Sequence, residues 1–354
     1  MFLAWNEIIK NKLRFTLIIG VLMLVAYLVF FLSGLANGLA SLNREAVDKW
    51  DADAIVLTEE SDQSLTQSSL SIDAVDEIQA DETAVLGQLN AIAQTGDLKA
   101  GVSIFGINSD EFIMPEVIEG EEFTDANEVI AGDALKDEGF KLGDTLSLSS
   151  TKETLKIVGF TDQARFNAAP VLYTTLETLQ LVKFGEAAEN DSQISAIVVR
   201  TEDVSATTDE NGLATIETET FIESLPGYTE QSLTLNFMIY FLFVISSVIV
   251  AIFLYVLTVQ KISMFGVMKA QGIPSGYLAR SVIAQTAILA AIGVAVGLGL
   301  TLFTGAFLPS AVPVAFDIPT MLIYGVVLIA VAILGAVFSV LTIVKIDPLK
   351  AIGG

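Results

Sequence analysis

The sequence predicts an α-helical membrane protein of four transmembrane helices, with a large extracellular α/β domain between spans one and two. Four runs of this 354-residue chain contain no charged residue: Phe15–Asn43, Gln231–Gln260, Ser281–Phe316 and Ile318–Ile343. Each exceeds the roughly 20 apolar residues that an α-helix needs to cross a bilayer. The long segment between the first two runs carries almost all of the acidic charge, which predicts a domain in water.

The first span is expected to be a retained helix and not a cleaved signal peptide. Basic residues precede it, but its apolar run is too long for the apolar region of a signal peptide. The polar sequence Asn43-Arg44-Glu45 follows without a cleavage site of small residues.

Short apolar runs between turn residues indicate a mixed α/β outer domain with a small sheet. DADAIVL has strand character, and LSIDAVDEIQ has apolar residues at helical spacing. Strand-like segments bounded by Gly, Asp or Asn follow: VSIFGI, EVIAGDALKDEGFKLGDTLSLSS, TLKIVGF, APVLYTTL and AIVVRT. The polar segment Thr201–Gly212 is expected to be a loop, and Tyr228–Leu233 is expected to lead back into the membrane.

Small residues in the spans predict close helix contacts. Span one carries Gly34-x-x-x-Gly38 and span three carries Gly293-x-x-x-Gly297. This spacing lets helix backbones approach closely, either within one chain or between two copies.

A short helix is predicted between spans two and three. Gln260–Gln271 has helical character, and Gly272 and Pro274 end it. Such a helix could present Met264, Phe265, Met268 and Lys269 to a groove on a partner, or it could be a plain connector.

The predicted boundaries follow from these patterns. They are 1–14 for an amphipathic segment, 15–39 for the first span, 40–233 for the outer domain, 234–259 for the second span, 260–280 for the connecting helix, 281–308 for the third span, 309–317 for an outer loop, 318–344 for the fourth span and 345–354 for the tail.

The basic residues predict the orientation in the cell membrane. Three segments hold eight Lys and Arg residues against only Glu7 and Asp347. They are the N-terminal segment 1–14, the connection 260–280 between spans two and three, and the tail 345–354. By the positive-inside rule, both termini and the loop Lys261–Arg280 are cytoplasmic, and the acidic domain is extracellular. Its negative charge is expected to serve solubility.

Composition excludes several kinds of site. The chain has no cysteine and no histidine, which excludes disulfides, thiolate chemistry and imidazole ligands. No basic patch suggests nucleic-acid binding, and no nucleophile-base arrangement suggests an enzyme.

Several segments resemble one family over the whole chain. MFLAWNEIIKNKLRF resembles the N-terminal elbow of FtsX/MacB-like ABC transporter permeases, and VQKISMFGVMKAQGIPSGYL resembles their coupling helix. EVIAGDALKDEGFKLGDTLSL is similar to their extracytoplasmic core, and KIDPLKAIGG is similar to their C-terminal sequence. SGLANGL, YVLTVQKIS and DPLKAIGG further resemble the haem-efflux permeases of Gram-positive bacteria.

The resemblance implies a permease subunit with no intrinsic cofactor. The chain lacks the G-x-x-x-x-G-K-[ST] motif, so ATP would be bound and hydrolysed by a separate ABC ATPase subunit that docks on the coupling helix. The family further implies two permease copies, contact with membrane lipids, and ATP-driven motion of the spans and outer domain that expels haem for detoxification.

A haem site must use unusual ligands here. Without His or Cys, the iron could be held by Tyr228, Glu230 or Met238. Aromatic walls and a cation for a propionate are available around the outer ends of spans one and two. The candidate haem-binding residues are Asn37, Arg44, Glu45, Tyr228, Glu230, Asn236, Phe237, Met238 and Tyr240.

Two other functions fit the same features. One is export of antimicrobial peptides or lipids. The other is transmission of ATPase motion, without transport, to an extracellular hydrolase or a sensor. The aromatic residues and span-end charges named above also suit an ordinary membrane interface.

Overall fold

The computed structural model describes residues 12–149, 151–185, 193–201, 204, 212–309 and 312–345. Two compact units make up the chain. The membrane unit comprises Met1–Leu39 and Ser232–Gly354, and the outer domain comprises Ala40–Gln231. Residues 1–11 of the predicted elbow, most of the predicted loop Thr201–Gly212 and the tail beyond Lys345 lie outside the described residues.

Four of the described helices are long and apolar enough to cross a membrane, as the sequence predicts. The described α-helices are α1 Lys12–Asp48, α2 Asp133–Asp137, α3 Leu176–Phe184, α4 Thr218–Ser224, α5 Tyr228–Gln260, α6 Ile262–Ala270, α7 Ser275–Gly305 and α8 Ile318–Lys345. The four candidate transmembrane helices are α1, α5, α7 and α8.

The described outer domain contains an eleven-stranded sheet, larger than the small sheet predicted, and a separate two-stranded sheet formed by β2 and β11. The acidic stretch with helical spacing forms a short 3₁₀ helix, Ile72–Glu77. The strands are β1 Ala54–Thr58, β2 Leu70–Ser71, β3 Glu82–Thr95, β4 Leu98–Ile107, β5 Glu119–Gly120, β6 Glu128–Gly132, β7 Thr145–Leu148, β8 Thr154–Thr161, β9 Arg165–Phe166, β10 Ala169–Thr175, β11 Gln193–Ile194, β12 Ala196–Arg200 and β13 Leu213–Glu217.

Six strands of the large sheet close into a ring. The long strand β3 pairs with β4, and the pairing then runs through β10, β6, β8 and β7 back to β3. Closure removes the unpaired edges that an open sheet would leave. The first residues of β3 pair instead with β12, which joins β1 and β13 to the ring.

One apolar cluster of the outer domain contains the end of α1. Ala46, Val47 and Trp50 are buried there with Phe221 and Ile222 of α4. Burial of Trp50 and Phe221 contributes on the order of 2 kcal/mol each. The chain segments that enter and leave this domain therefore share one core.

The glycines of the membrane unit lie at close contacts within one chain. A Cβ on Gly293 or Gly297 of α7 would lie 2.7 Å from Leu22 or 2.8 Å from Ala26 of α1. A Cβ on Gly38 would lie 2.3 Å from the carbonyl oxygen of Pro313. Both predicted glycine pairs thus serve contacts inside this chain.

The segment between α7 and α8 packs against α1 at Gly34 and Gly38. Phe316 lies against Gly34 of α1 and Gly305 of α7, where a Cβ would lie 2.5 and 2.2 Å from its ring. The backbone N–H of Ala315 donates to the carbonyl oxygen of Gly34 at 2.9 Å. The predicted outer loop is therefore tied to the first span.

Replacing Gly38 with alanine should destabilise the membrane unit. The new methyl group would meet the backbone of Pro313 and force the segment away from α1, at a cost of about 1–3 kcal/mol. Gly20→Ala is the matched control, because a Cβ at Gly20 has nothing within 4 Å. Thermal unfolding in detergent should show a lower melting temperature for Gly38→Ala only, and equal melting temperatures for the two variants would contradict this packing.

Candidate functional site

Arg44 joins the two helices at which the outer domain begins and ends. Its Nε lies 2.9 Å from both carboxylate oxygens of Asp48, one turn along α1. Its two terminal nitrogens donate to Glu219 of α4 at 2.9 and 2.8 Å, and one also donates to the Tyr228 hydroxyl at 3.2 Å. The planar guanidinium suits this bidentate pairing.

The predicted pairing of Arg44 with a haem propionate stays a prediction beside these contacts. The sequence suggested that its charge pairs with a haem propionate, but protein carboxylates already hold the guanidinium. Its side chain is 24% exposed. A propionate there would compete with Glu219 and Asp48, and the contacts place Arg44 at the joint between α1, α4 and the start of α5.

A second set of contacts holds α1 to the outer domain. The backbone N–H groups of Asn167 and Ala168, between β9 and β10, donate to the carbonyl oxygens of Asn43 and Leu42 at 3.2 and 2.9 Å. Asn167 and Ala168 have positive φ angles of 49° and 63°. Lys49 adds an ion pair to Asp162 at 2.5 Å. Sequence reasoning missed this anchor, because no motif marks a hairpin that binds helix carbonyls.

Glu45 lies on the side of α1 that faces this hairpin. It accepts a backbone hydrogen bond from Arg165 and is close enough to act electrostatically on Tyr173. Burial raises the pKa of the Tyr173 hydroxyl, and the nearby negative charge of Glu45 raises it further. Glu45 is thus part of the outer domain's packing against α1.

An acidic cavity of about 490 Å³ opens beside the joint. Its lining includes Arg44 and five carboxylates, namely Asp48, Asp51, Asp53, Glu217 and Glu219. No group of three or more Asp or Glu side chains within the described residues is arranged to hold a metal ion. The cavity therefore concentrates negative charge beside the joint.

The predicted aromatic residues lie on the exposed face of α5. Phe237, Met238 and Tyr240 are 62%, 50% and 58% exposed, whereas Ile239 between them is buried. Phe237 and Phe241 contact each other edge to face, with ring centroids 4.8 Å apart. This face presents an apolar, aromatic surface that the other described residues leave exposed.

The remaining predicted residues have less distinctive positions. Asn236 on α5 and Asn37 on α1 are half-buried, and Glu230 on α5 is exposed. Asn37 and Glu230 already have polar partners within the chain. Of the nine candidates, Arg44 and Tyr228 are joined by a hydrogen bond.

The predicted connecting helix exists as α6, and its end has a recognisable cap. The backbone N–H groups of Gly272 and Ile273 donate to the carbonyl oxygens of Lys269 and Met268, both at 3.0 Å. Gly272 has φ +86°, a conformation that favours glycine, and Ile273 packs with Met268 in one cluster. The two hydrogen bonds are those of a Schellman motif. Gly272 ends the helix, as the sequence predicts.

One side of α6 is buried and the other is exposed, while the predicted contact of this helix with an ATPase stays a prediction. Phe265 is only 4% exposed and packs against Leu278 and Val282 of α7. Met264 and Val267 are 40% and 43% exposed on the other side. The sequence missed this because the direction of a short apolar helix is set by its neighbours.

Comparison with known proteins agrees with this architecture. The family model of the MacB-like periplasmic core domain matches residues 15–211, and that of the FtsX-like permease C-terminal matches residues 236–348. Among solved structures, the extracellular domain of the noncanonic ABC-type transporter YknZ from Gram-positive bacteria is matched over 43% of this chain and 84% of its own. The similarity is weak, with a TM-score of 0.30 and 16% identity.

Curated relatives match over the full length of the chain. A protein of Staphylococcus haemolyticus and one of Staphylococcus epidermidis, both named "Putative hemin transport system permease protein HrtB", are 25% and 28% identical over 100% of this chain and 99% of their own. An uncharacterized ABC transporter permease of Mycobacterium tuberculosis is 24% identical over the same shares. The chain belongs to the family of ABC transporter permeases that combine a MacB-like periplasmic core domain with an FtsX-like permease C-terminal domain.

Proposed function

We propose that this chain is the permease subunit of an ABC-type efflux pump that exports haem from the membrane. The observation that carries the proposal is the full-length similarity to two relatives named for hemin transport. The exposed aromatic face of α5 supports it, because haem is a flat apolar ring that binds aromatic surfaces.

The proposed haem contact is the Phe237–Phe241 pair and Tyr240. Ring edges and faces at this spacing can pack against a porphyrin. Met238 follows Phe237 directly and is half exposed, so its thioether is the proposed axial ligand from this face. Asn236 and Asn37 can supply hydrogen bonds to a propionate.

Tyr228 and Glu230 are the alternative iron ligands. A tyrosine binds ferric iron as a phenolate, as in catalases. Arg44 donates to the Tyr228 hydroxyl at 3.2 Å. Its positive charge would offset the negative charge of a phenolate bound to iron. Arg44 then acts beside the ligand and does not bind a propionate.

We assign ATP hydrolysis to a separate ATPase subunit that contacts α6, with two permease copies in the working pump. The exposed Met264 and Val267 form the proposed contact, with Lys269 at its edge and Met268 packed behind it. Because Phe265 links α6 to α7, a push on α6 would pass directly to the third span. The basic ends are proposed to be cytoplasmic and the outer domain extracellular, following the positive-inside rule.

Removing the axial ligand should change the hemin spectrum of the purified protein. We expect one of Met238→Leu, Tyr228→Phe and Glu230→Gln to shift the Soret band, because the iron loses its ligand. Met264→Leu is the control, an exposed methionine on α6. Phe237→Ala should lower hemin affinity about tenfold without a shift, and Val244→Ala, equally exposed on α5, should not. Spectra and affinities equal to the parent in every variant would contradict a haem site here.

The same titration tests the role of Arg44. Arg44→Ala removes the one side chain that is bonded to Asp48, Glu219 and Tyr228 together, so the melting temperature should fall. Weaker hemin binding at unchanged melting temperature would instead restore the propionate role.

Replacing Met264 with aspartate should uncouple the ATPase without unfolding the permease. A charge in the centre of a partner contact typically weakens binding by about 2 kcal/mol or more. Gln271→Asp is the control, because Gln271 is exposed just beyond α6. Phe265→Asp should instead lower the yield of folded protein, since it buries an unpaired charge. The readouts are hemin-stimulated ATPase activity and melting temperature, and full activity of Met264→Asp would leave α6 as a mere connector.

A further inference from the structure

A small apolar groove lies between α1 and α5, at the end of the membrane unit where α1 begins and α5 ends. It has a volume of about 160 Å³ and is lined by Leu17, Ile18, Phe253, Val256, Leu257 and Gln260. Ile18 is buried and forms the floor. Leu17 and Val256 are 59% and 45% exposed and form walls that open outward from the helix bundle. The groove is thus open where the bilayer would surround the protein.

Positive charge lies close in sequence to the groove's lining residues. Lys261 directly follows the lining residue Gln260, and its ammonium is 5.8 Å from the ring centroid of Phe15, one turn before Ile18. Lys12 is exposed one turn earlier on α1. An apolar groove with a lysine near it in sequence on each side, Lys12 before α1's lining residues and Lys261 after those of α5, matches a molecule with a hydrocarbon chain and an anionic head.

We propose that this groove binds one acyl chain of an anionic phospholipid, with the lipid phosphate at Lys261 and Lys12. Lipids are the molecules that surround this face, and basic pockets between transmembrane helices bind anionic head groups.

The position of Lys261 gives the lipid a functional consequence. Lys261 is the residue that separates α5 from α6. Its φ and ψ of −110° and 10° depart from the helical values on either side. A phosphate held there would fix the joint from which α6 extends. The effect on ATPase activity rests on the proposed coupling role of α6, whereas lipid binding does not.

Native mass spectrometry of the purified full-length chain tests the site directly. Dioleoyl-phosphatidylglycerol and dioleoyl-phosphatidylcholine are titrated separately, and bound lipids per chain are counted. We expect one tightly bound phosphatidylglycerol, preferred over phosphatidylcholine by about fivefold or more because of the lysine charges. Lys261→Gln should reduce that preference.

Two tryptophan variants separate the groove from the general lipid surface. Leu17→Trp fills the groove and should weaken phosphatidylglycerol binding at least tenfold. Leu24→Trp is the matched control, because Leu24 is 54% exposed on the same helix and does not line the groove. Equal binding by the two variants would overturn the site, as would equal binding of the two lipids by the parent. Displacement of the lipid by equimolar hemin, or loss of dimers in Leu17→Trp alone, would assign the groove to haem or to a second copy instead.

Discussion

Close contact between helix backbones at glycine holds the membrane unit together, and the exposed faces of α5 and α6 depend on it. In a bilayer, burying apolar side chains gives little driving force, because lipid tails are as apolar as leucine. Helices associate through dense packing, which Gly293 and Gly297 allow against α1 and Gly335 allows against the carbonyl oxygen of Ser247 on α5. With these contacts satisfied inside the bundle, α5 keeps a face of aromatic residues that the rest of the described bundle leaves exposed.

Arg44 performs a comparable task in the outer domain. It binds Asp48, Glu219 and Tyr228, and the hairpin at Asn167 and Ala168 binds the same stretch of α1 from its carbonyl side. Exposed ion pairs contribute little on their own, typically below about 1 kcal/mol. A fork that is bonded to three partners, together with buried Trp50, holds the end of α1, α4 and the start of α5 together within the outer domain.

Local patterns in the sequence predicted the spans, most strands and the end of α6. Charge-free runs set the spans, and Gly272 with Pro274 ended the helix because only glycine readily takes a positive φ there. Closure of the six-stranded ring was not predictable, since β7 meets β3 more than fifty residues away in sequence. Arg44 looked like a free cation because Glu219 is 175 residues away. Phe265 looked exposed because its neighbours Leu278 and Val282 come from the next helix.

Haem export can be measured directly in proteoliposomes. The purified chain and its ATPase subunit would be reconstituted with hemin in the bilayer, and apomyoglobin outside would report released hemin by its Soret absorbance. In some vesicles the permease inserts with its cytoplasmic side and the ATPase outward, and only these vesicles can use added ATP. Their lumen corresponds to the outside of the cell, so export carries hemin from the bilayer into the lumen. The account predicts an ATP-dependent fall in hemin available to apomyoglobin that requires both subunits. Transfer that is unchanged by ATP would contradict it.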